Sequence, residues 1–163
     1  MLIHCLRHAT AELQCITRAD TERALIKKGH NQVLRVAEFC RKNGLMPSVL
    51  YSSPLLRAQQ TASLLQHHLP DCPPPGLVDW LMPDASCSAI IAELRTLAAA
   101  DVDNVWLVGH EPVLSNLLGE LLASDGQRFN IKKASLTCID VQFSLGPTPV
   151  AQLQWSVPCA LMR

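Results

Sequence analysis

Two arginines and two histidines of this sequence follow closely on short apolar runs: Arg7, His8, Arg57 and His110. An arginine guanidinium gives two parallel hydrogen bonds to a phosphate group. A neutral imidazole can attack phosphorus and form a phosphohistidine, and a second, protonated imidazole can balance charge on the equatorial oxygens. The four residues therefore predict a phosphoryl-transfer site, provided that the fold brings them together.

The apolar runs that precede these residues alternate with helical patterns. Strands are predicted at Leu2–Leu6, Ser48–Tyr51, Val105–Val108, Leu136–Phe143 and Val150–Trp155, with a hairpin loop at 146–149. Helices are predicted from about Thr21 to the stop signal Asn43-Gly44, from Pro54 to about His68 with Ser53 as N-cap, over Ser86–Ala99, and from Pro112 to about Ala123. The proline-rich stretch Pro70–Gly76 is expected to be a loop. This alternation predicts a three-layer α/β/α sandwich with a mostly parallel central sheet.

The predicted topology places the four residues at one edge of the sheet. In an open α/β sheet, ligands bind at the carboxyl ends of the strands. Helices that begin near Pro54 and Pro112 would add backbone N–H groups and positive dipole ends there. We therefore expect one anion-binding pocket built from residues that lie far apart in the sequence.

Composition narrows the class of protein. The 163 residues predict a single domain over 1–163, and the balance of 14 Lys plus Arg against 14 Asp plus Glu argues against a nucleic-acid or membrane-binding surface. Seven cysteines without C-x-x-C spacing predict a reducing compartment, by default the cytoplasm, with no signal peptide or membrane span expected. No metal site is expected, since His4 and His8 would lie roughly 13 Å apart on a strand.

Three segments resemble a known family when they are taken together. Residues 6–10 (Leu-Arg-His-Ala-Thr) resemble the Arg-His-Gly signature of the histidine phosphatase superfamily, and residues 52–62 and 108–112 resemble its second and third blocks, in the same order. The resemblance implies a phosphoglycerate mutase-like fold and a phosphatase that needs no cofactor. It also implies that His8 is the nucleophile and that Arg7, Arg57 and His110 bind the phosphoryl group.

Two further segments are similar to the short, single-domain SixA-type phosphohistidine phosphatases. Residues 20–25, followed by Gly29, resemble the Arg-Pro-Leu-Thr stretch of that group, and residues 81–84 resemble its Leu-x-Pro segment. The similarity adds Arg23 as a further phosphate-binding residue. It implies an enzyme that dephosphorylates phosphohistidine on HPt-type phosphotransfer domains, and we expect that enzyme to be a monomer.

The sequence departs from the superfamily pattern in two places. Ala9 stands where most members have glycine, which would cost about 1 kcal/mol if the backbone needed a positive φ. No general acid has its expected sequence setting, and Asp79 and Asp84 are the nearest candidates. A site without a strong acid suits an N–P bond, because imidazole leaves far more readily than an alkoxide.

Two alternatives stay open from the sequence. One is a histidine-family phosphatase of small phosphate esters, and the other is a non-catalytic module that binds phosphate or phosphohistidine. An acid in the pocket would favour the first, and a protein that acquires no phosphate at His8 would favour the second. Lys132 and Lys133 precede a predicted strand, where they are either solvated loop charges or a grip on an acidic partner.

Overall fold

A six-stranded sheet forms the centre of the protein, for which the computed structural model describes residues 1–17, 19–143, 146 and 149–163. Its strands are β1 (Leu2–Arg7), β2 (Val49–Ser52), β3 (Gly76–Leu77), β4 (Asn104–Gly109), β5 (Leu136–Gln142) and β6 (Val150–Val157). Their order is β3-β2-β4-β1-β5-β6. The first four strands are parallel, β5 is antiparallel to β1, and β6 is antiparallel to β5. The mostly parallel sheet that the sequence predicts is confirmed.

Four helices cover the two faces of this sheet within the described residues: α1 (Lys27–Lys42), α2 (Leu56–His68), α3 (Cys87–Ala99) and α4 (Val113–Leu121). Helices α1 and α2 pack on one face, whereas α3 and α4 pack on the other. Strand β1 serves both cores by alternation, since Leu6 contacts the α1–α2 core while Ile3 and Cys5 contact the other. The three-layer sandwich is therefore confirmed. None of the described helices combines the length and the apolar character needed to cross a membrane.

The first helix begins later than the sequence predicts. Asp20–Glu22 forms a separate 3-10 turn, and Leu25 pairs with Ala11 in an isolated bridge, so that α1 begins only at Lys27 and not near Thr21. The prediction of its start is wrong because this segment pairs with the stretch that follows β1. The predicted stop is confirmed, with Asn43 as the C-cap and the next residue at a φ of +63°.

Ser53 does not cap the second helix. Helix α2 begins at Leu56, and no side chain caps it, because the Ser53 hydroxyl instead lies 2.8 Å from Nε2 of His110. The chain bends at Pro54 and Leu55 between β2 and α2. The capping prediction is wrong because α2 starts three residues after Ser53, whose hydroxyl accepts from the amide of Leu55 at 3.4 Å and contacts the distant His110.

Two late strands pair as expected, with small changes at their ends. Strand β5 stops at Gln142 and β6 continues to Val157, two residues beyond the predicted Trp155. The centre of the hairpin loop predicted between them lies outside the described residues. The two-residue strand β3 was not predicted, since it occupies the end of a proline-rich stretch. It pairs with β2 and brings the following turn beside Ser52, whose carbonyl accepts from the amide of Val78.

Candidate active site

Three adjacent strands end at one place and deliver the predicted residues to it. In the register of the sheet, Arg7 of β1 lies opposite Gly109 of β4. The amide of His8 donates to the carbonyl of Gly109 at 3.0 Å, and the rings of His8 and His110 lie 5.1 Å apart between centroids. The carboxyl ends of parallel strands thus place the two histidines side by side, as the sequence predicts.

His8 is buried in its neutral form with one nitrogen held. Its side chain is 5% exposed, and Nδ1 lies 2.8 Å from the carbonyl oxygen of Ala9. Because a carbonyl can only accept, Nδ1 carries the proton, and Nε2 keeps its lone pair. Burial is the main cause that lowers the pKa of His8 to about 4. The hydrogen bond to Ala9 opposes this lowering, and the charges of Arg57 and Arg7 contribute to it. At pH 7 this ring has the form that a nucleophile requires.

His110 is also neutral at pH 7 among the protein's own groups. It is 2% exposed, and its pKa is lowered to about 3, mainly by burial and in part by His8 and Arg57. Its Nε2 contacts Ser53, whereas Nδ1 is buried without a hydrogen-bond partner in the described structure. The protonated second histidine expected from the sequence therefore requires an anion beside it, since a dianionic phosphoryl group would raise this pKa.

Arg57 is a buried cation at the start of α2. It is 5% exposed and pairs with Asp20, which begins the 3-10 turn before α1. Nη1 donates to the carbonyl of Asp20 at 2.7 Å, and Nη2 donates to its Oδ2 at 2.9 Å. Arg23 donates to the other oxygen of the same carboxylate at 2.6 Å. Asp20 therefore links Arg57 to Arg23, the residue that the similarity to SixA-type enzymes adds to the phosphate-binding set.

Arg7 is fixed from the opposite side of the pocket. Its Nη1 donates to the carbonyl oxygen of Ile131 at 2.7 Å, and its buried Nε has no partner among the described residues. Burial lowers the pKa of Arg7, while the charge of Glu111 raises it. Glu111 in turn accepts a hydrogen bond of 2.6 Å from the Ser115 hydroxyl. Arg7 is thus fixed by a backbone carbonyl and lies within electrostatic range of the half-buried Glu111 carboxylate.

The carboxylates near the four residues are Asp20 and Glu111, and not the two acids considered from the sequence. Asp79 and Asp84 are exposed, and no hydrogen bond or ion pair within the described residues joins either to the pocket. The hydrogen bond from Arg23 holds the pKa of Asp20 below its usual value, so this group is ionised. Burial raises the pKa of Glu111, but its Oε1 is shut away from solvent.

Lys133 joins the same cationic cluster from the loop before β5. Burial lowers its pKa, and the positive charges of Arg7 and Arg23 lower it further, which places its amine within electrostatic range of the pocket. Lys132 is exposed and lines a cavity beside Arg7. No cluster of three or more His, Cys, Asp or Glu side chains in the described part of the chain could hold a metal ion.

The loop after β1 has alanine, Ala9, at the position where most members of the superfamily have glycine. Ala9 is fully buried and is not among the non-glycine residues with positive φ, so its methyl group causes no left-handed strain. Its amide donates to the Thr61 hydroxyl at 3.1 Å, and the amide of Thr10 donates to Gln32 at 2.9 Å. Helices α1 and α2 therefore both hold the segment that carries His8.

Gly29 allows α1 to approach this loop, and Gly29→Ala is expected to destabilise the protein. A β-carbon at Gly29 would overlap the carbonyl oxygen of Thr10, which is backbone and cannot rotate away. Alanine favours a helix by about 1 kcal/mol over glycine, but overpacking costs about 1–3 kcal/mol and here involves a fixed neighbour. Because the neighbour is fixed, overpacking should cost about 2–3 kcal/mol, so that urea unfolding shows a net loss of about 1–2 kcal/mol. The exposed neighbour His30, changed to Ala, is the control, and an unchanged midpoint for Gly29→Ala would contradict the close approach.

Several residues at the site were not predicted from the sequence in their observed roles. The sequence predicts Ser53 as a helix cap, and it includes Asp20 and Glu111 only in the segments 20–25 and 108–112 that carry the family resemblance. The spacing of Asp20 and Arg23, which are three residues apart, is the one signal that could have indicated an ion pair. The contact of Ser53 with His110 depends on the assembled sheet and leaves no local pattern, whereas Glu111 and Ser115 are four residues apart and form a local pair.

Comparison with known proteins gives both a family and a fold. A family model of the histidine phosphatase superfamily (branch 1) matches residues 3–82. An uncharacterized protein of Picosynechococcus sp. is 32% identical over 137 residues, which are 83% of this chain and 82% of the relative. The structure of the protein histidine phosphatase SixA complexed with tungstate covers 100% of both chains with a TM-score of 0.87 and 20% identity. A mycobacterial glucosyl-3-phosphoglycerate phosphatase has a TM-score of 0.73 and 16% identity, covering 94% of this chain and 96% of its own.

Proposed function

This chain belongs to the histidine phosphatase superfamily (branch 1) and is a phosphatase, and we propose that its substrate is phosphohistidine in an HPt-type phosphotransfer domain. The observation that carries the proposal is the combination of a neutral His8 with the absence, among the described residues, of a carboxylic acid that is free to donate a proton beside it. That combination suits a bond whose leaving group needs little protonation.

The first step transfers the phosphoryl group to His8. The lone pair on Nε2 of His8 forms a bond to phosphorus while the bond from phosphorus to the substrate imidazole breaks. The substrate ring, already protonated by solvent on its other nitrogen, takes the electron pair of that bond and leaves as neutral imidazole. Arg7 and Arg57 supply guanidinium donors to the phosphoryl oxygens, and His110, which gains a proton as the dianion enters, balances the remaining charge.

Hydrolysis of phospho-His8 completes the cycle. A water oxygen bonds to phosphorus, the bond from phosphorus to Nε2 breaks, and inorganic phosphate leaves while the water proton passes to phosphate or to solvent. His8 returns to its neutral form with Nδ1 still donating to the carbonyl of Ala9. That hydrogen bond keeps Nε2 as the reacting nitrogen in both halves of the cycle.

Proton supply separates the proposed substrate from phosphate esters. Imidazole leaves as a base whose conjugate acid has a pKa of about 6.5, whereas an alkoxide resembles hydroxide, from water of pKa about 15.7. A positioned acid contributes roughly 10²–10⁴-fold when the leaving group is poor. Asp20 is ionised and paired with two arginines, and Glu111 has one oxygen bonded to Ser115 and the other enclosed. Neither supplies that acid.

The surroundings of the pocket also suit a protein substrate. Leu13 and Ile16 are large apolar side chains that stand exposed in the segment between the loop after β1 and Asp20. Both ends of this segment are tied to the site, since Arg23 donates to the carbonyl of Glu12 at 2.7 Å and Arg57 contacts Asp20. Exposed apolar side chains beside a binding site are typical of a surface that meets a partner.

The test compares N–P and O–P cleavage by the same enzyme. A phosphohistidine-bearing HPt domain is expected to be turned over with a kcat/KM at least about 10²-fold above that for an alkyl phosphate, the lower bound of what a missing acid costs. Aryl phosphates should be cleaved ever more slowly as the pKa of the phenol rises towards about 10. Asp79→Asn and Asp84→Asn should leave both activities unchanged.

Two results would replace this proposal. The enzyme could instead turn over alkyl phosphates efficiently, at rates that do not depend on the pKa of the leaving group, and leave the HPt domain untouched. That result would identify a small-ester phosphatase with a general acid. Loss of that activity in Glu111→Gln would then identify the acid. Phosphate binding without turnover of any substrate would indicate a sensor module.

A further inference from the structure

A basic groove leads away from the phosphoryl pocket along the first turns of α1. It consists of two adjoining cavities of about 360 and 580 Å³, which share Lys28, Gln32, Cys159 and Ala160 as walls. Arg7 lines the inner cavity, so the groove starts at a residue of the pocket itself. The turn Cys159–Leu161 near the end of the chain forms the opposite wall.

The walls of this groove carry one sign of charge. Its cationic residues are Arg7, Lys27, Lys28, Arg35, Lys132 and Lys133. Among the described lining residues none is acidic and none is aromatic. The whole chain has a formal net charge of +0, so this concentration of positive charge is local. The mutual repulsion that helps to lower the pKa of Lys133, to which Lys28 and Arg7 contribute, places the inner cations close together.

The groove is too long to serve the phosphoryl group alone. Lys28 and Arg35 are two turns apart on one face of α1, or about 10 Å along its axis. A single phosphoryl group held by Arg7 and Arg57 would leave the outer cations without an anion. Lysine is a compact point charge that suits carboxylates without requiring a planar, bidentate geometry. The absence of aromatic lining among the described residues disfavours nucleic acid, because base stacking needs such side chains.

We propose that the basic groove binds aspartate and glutamate side chains of the protein substrate that lie within about 10–15 Å of its phosphohistidine. This inference rests on the proposed function. It adds that the enzyme selects among phosphohistidine proteins by the charge around their phosphohistidine. A charged groove beside a reactive pocket raises the association rate of an oppositely charged partner and fixes its orientation. A substrate with a neutral or basic surface around its phosphohistidine would be disfavoured.

Charge reversal outside the catalytic pocket tests the proposal. The double variant Lys28→Glu/Arg35→Glu is compared with Arg41→Glu/Lys42→Glu, which makes the same charge change on exposed residues at the far end of α1. We call Lys28→Glu/Arg35→Glu the groove variant. With an acidic phospho-HPt domain as substrate, its kcat/KM should fall about tenfold or more because KM rises, and its KM should no longer depend on salt concentration. Turnover of phosphoramidate, a small N–P substrate, should be unchanged in both variants.

A second measurement does not depend on the HPt domain. A short poly-glutamate peptide should inhibit phosphoramidate turnover competitively in the wild type and in the control variant, and not in the groove variant. Competitive inhibition by the peptide, together with no turnover of the HPt domain, would overturn the proposed substrate and support acidic side chains as ligands of the groove. HPt turnover with equal KM in all three proteins and no inhibition would support the substrate and overturn the groove. Stronger inhibition by a single-stranded RNA of equal charge would also overturn it, in favour of a nucleic-acid ligand.

Discussion

His8→Ala is expected to abolish turnover of every phosphorylated substrate, with kcat falling by roughly four orders of magnitude or more. The proposed reaction passes through a covalent bond to Nε2 of His8. The neighbouring His110 is not placed to substitute for it, since its Nε2 contacts Ser53 at 2.8 Å and its Nδ1 is enclosed by the protein. Phosphate affinity should change much less, because both arginines remain.

Phosphate trapping distinguishes a lost nucleophile from a damaged pocket. Wild-type protein quenched during turnover should carry an acid-labile, base-stable phosphate on a peptide that contains His8, and His8→Ala should carry none. His30→Ala, an exposed histidine of α1, is the matched control and should retain full activity. Vanadate or tungstate should still bind to His8→Ala. Residual turnover within about tenfold of the wild type would contradict the covalent route and favour direct attack by water.

The fold could be predicted from the sequence where local pattern and tertiary structure agree. The apolar strands end in residues that must be polar for chemistry, so the change from Leu6 to Arg7 and His8 marks both a strand end and a site. The prediction of the start of α1 failed because Leu25 pairs with Ala11, a contact that no local window contains. Periodicity describes which face a residue occupies, and it does not describe which distant segment holds the residue.

In the candidate site, too, the sequence predicts some residues and not others. Residues that would touch a phosphoryl group have a recognisable type and spacing, and the structure brings Arg7, Arg57 and His110 to His8. The residues that hold them were not recognisable as such, because Asp20 looks like an ordinary helix-start acid. A buried cation needs a counterion or a carbonyl, but sequence alone does not say which one.

Burial of imidazoles has a consequence for stability that extends beyond catalysis. His4, stacked on Trp106 at 4.7 Å, is 2% exposed, and burial lowers its pKa to about 4, despite a hydrogen bond to Asn104 that raises it. Together with His8 at about 4 and His110 at about 3, it is one of three buried histidines that stay neutral when the folded protein is mildly acidified. In the unfolded chain each would take up a proton near pH 6.5.

The protein is therefore expected to lose most of its stability between about pH 6.5 and pH 4. Over this window the unfolded state binds up to three more protons than the folded state, so the free energy of unfolding falls by up to about 4 kcal/mol per pH unit. A typical domain has about 5–15 kcal/mol in total, which this slope removes within a few pH units. Glu111 acts in the opposite sense, because its raised pKa lets the folded state take up a proton first. The contribution of the histidines is fully present above their unfolded pKa.

Urea unfolding at a series of pH values measures this slope, and one substitution assigns it. His110→Gln should reduce the slope by one proton, or about 1.4 kcal/mol per pH unit, whatever it does to the stability at pH 7.5. Inorganic phosphate should also flatten the slope, because a bound anion raises the pKa of His8 and His110 in the folded state and lets them keep their protons. A wild-type slope of one proton or fewer would mean that the folded protein protonates these rings near pH 6. His8 would then be partly cationic at neutral pH and a poorer nucleophile, so the same titration also tests the proposed catalysis.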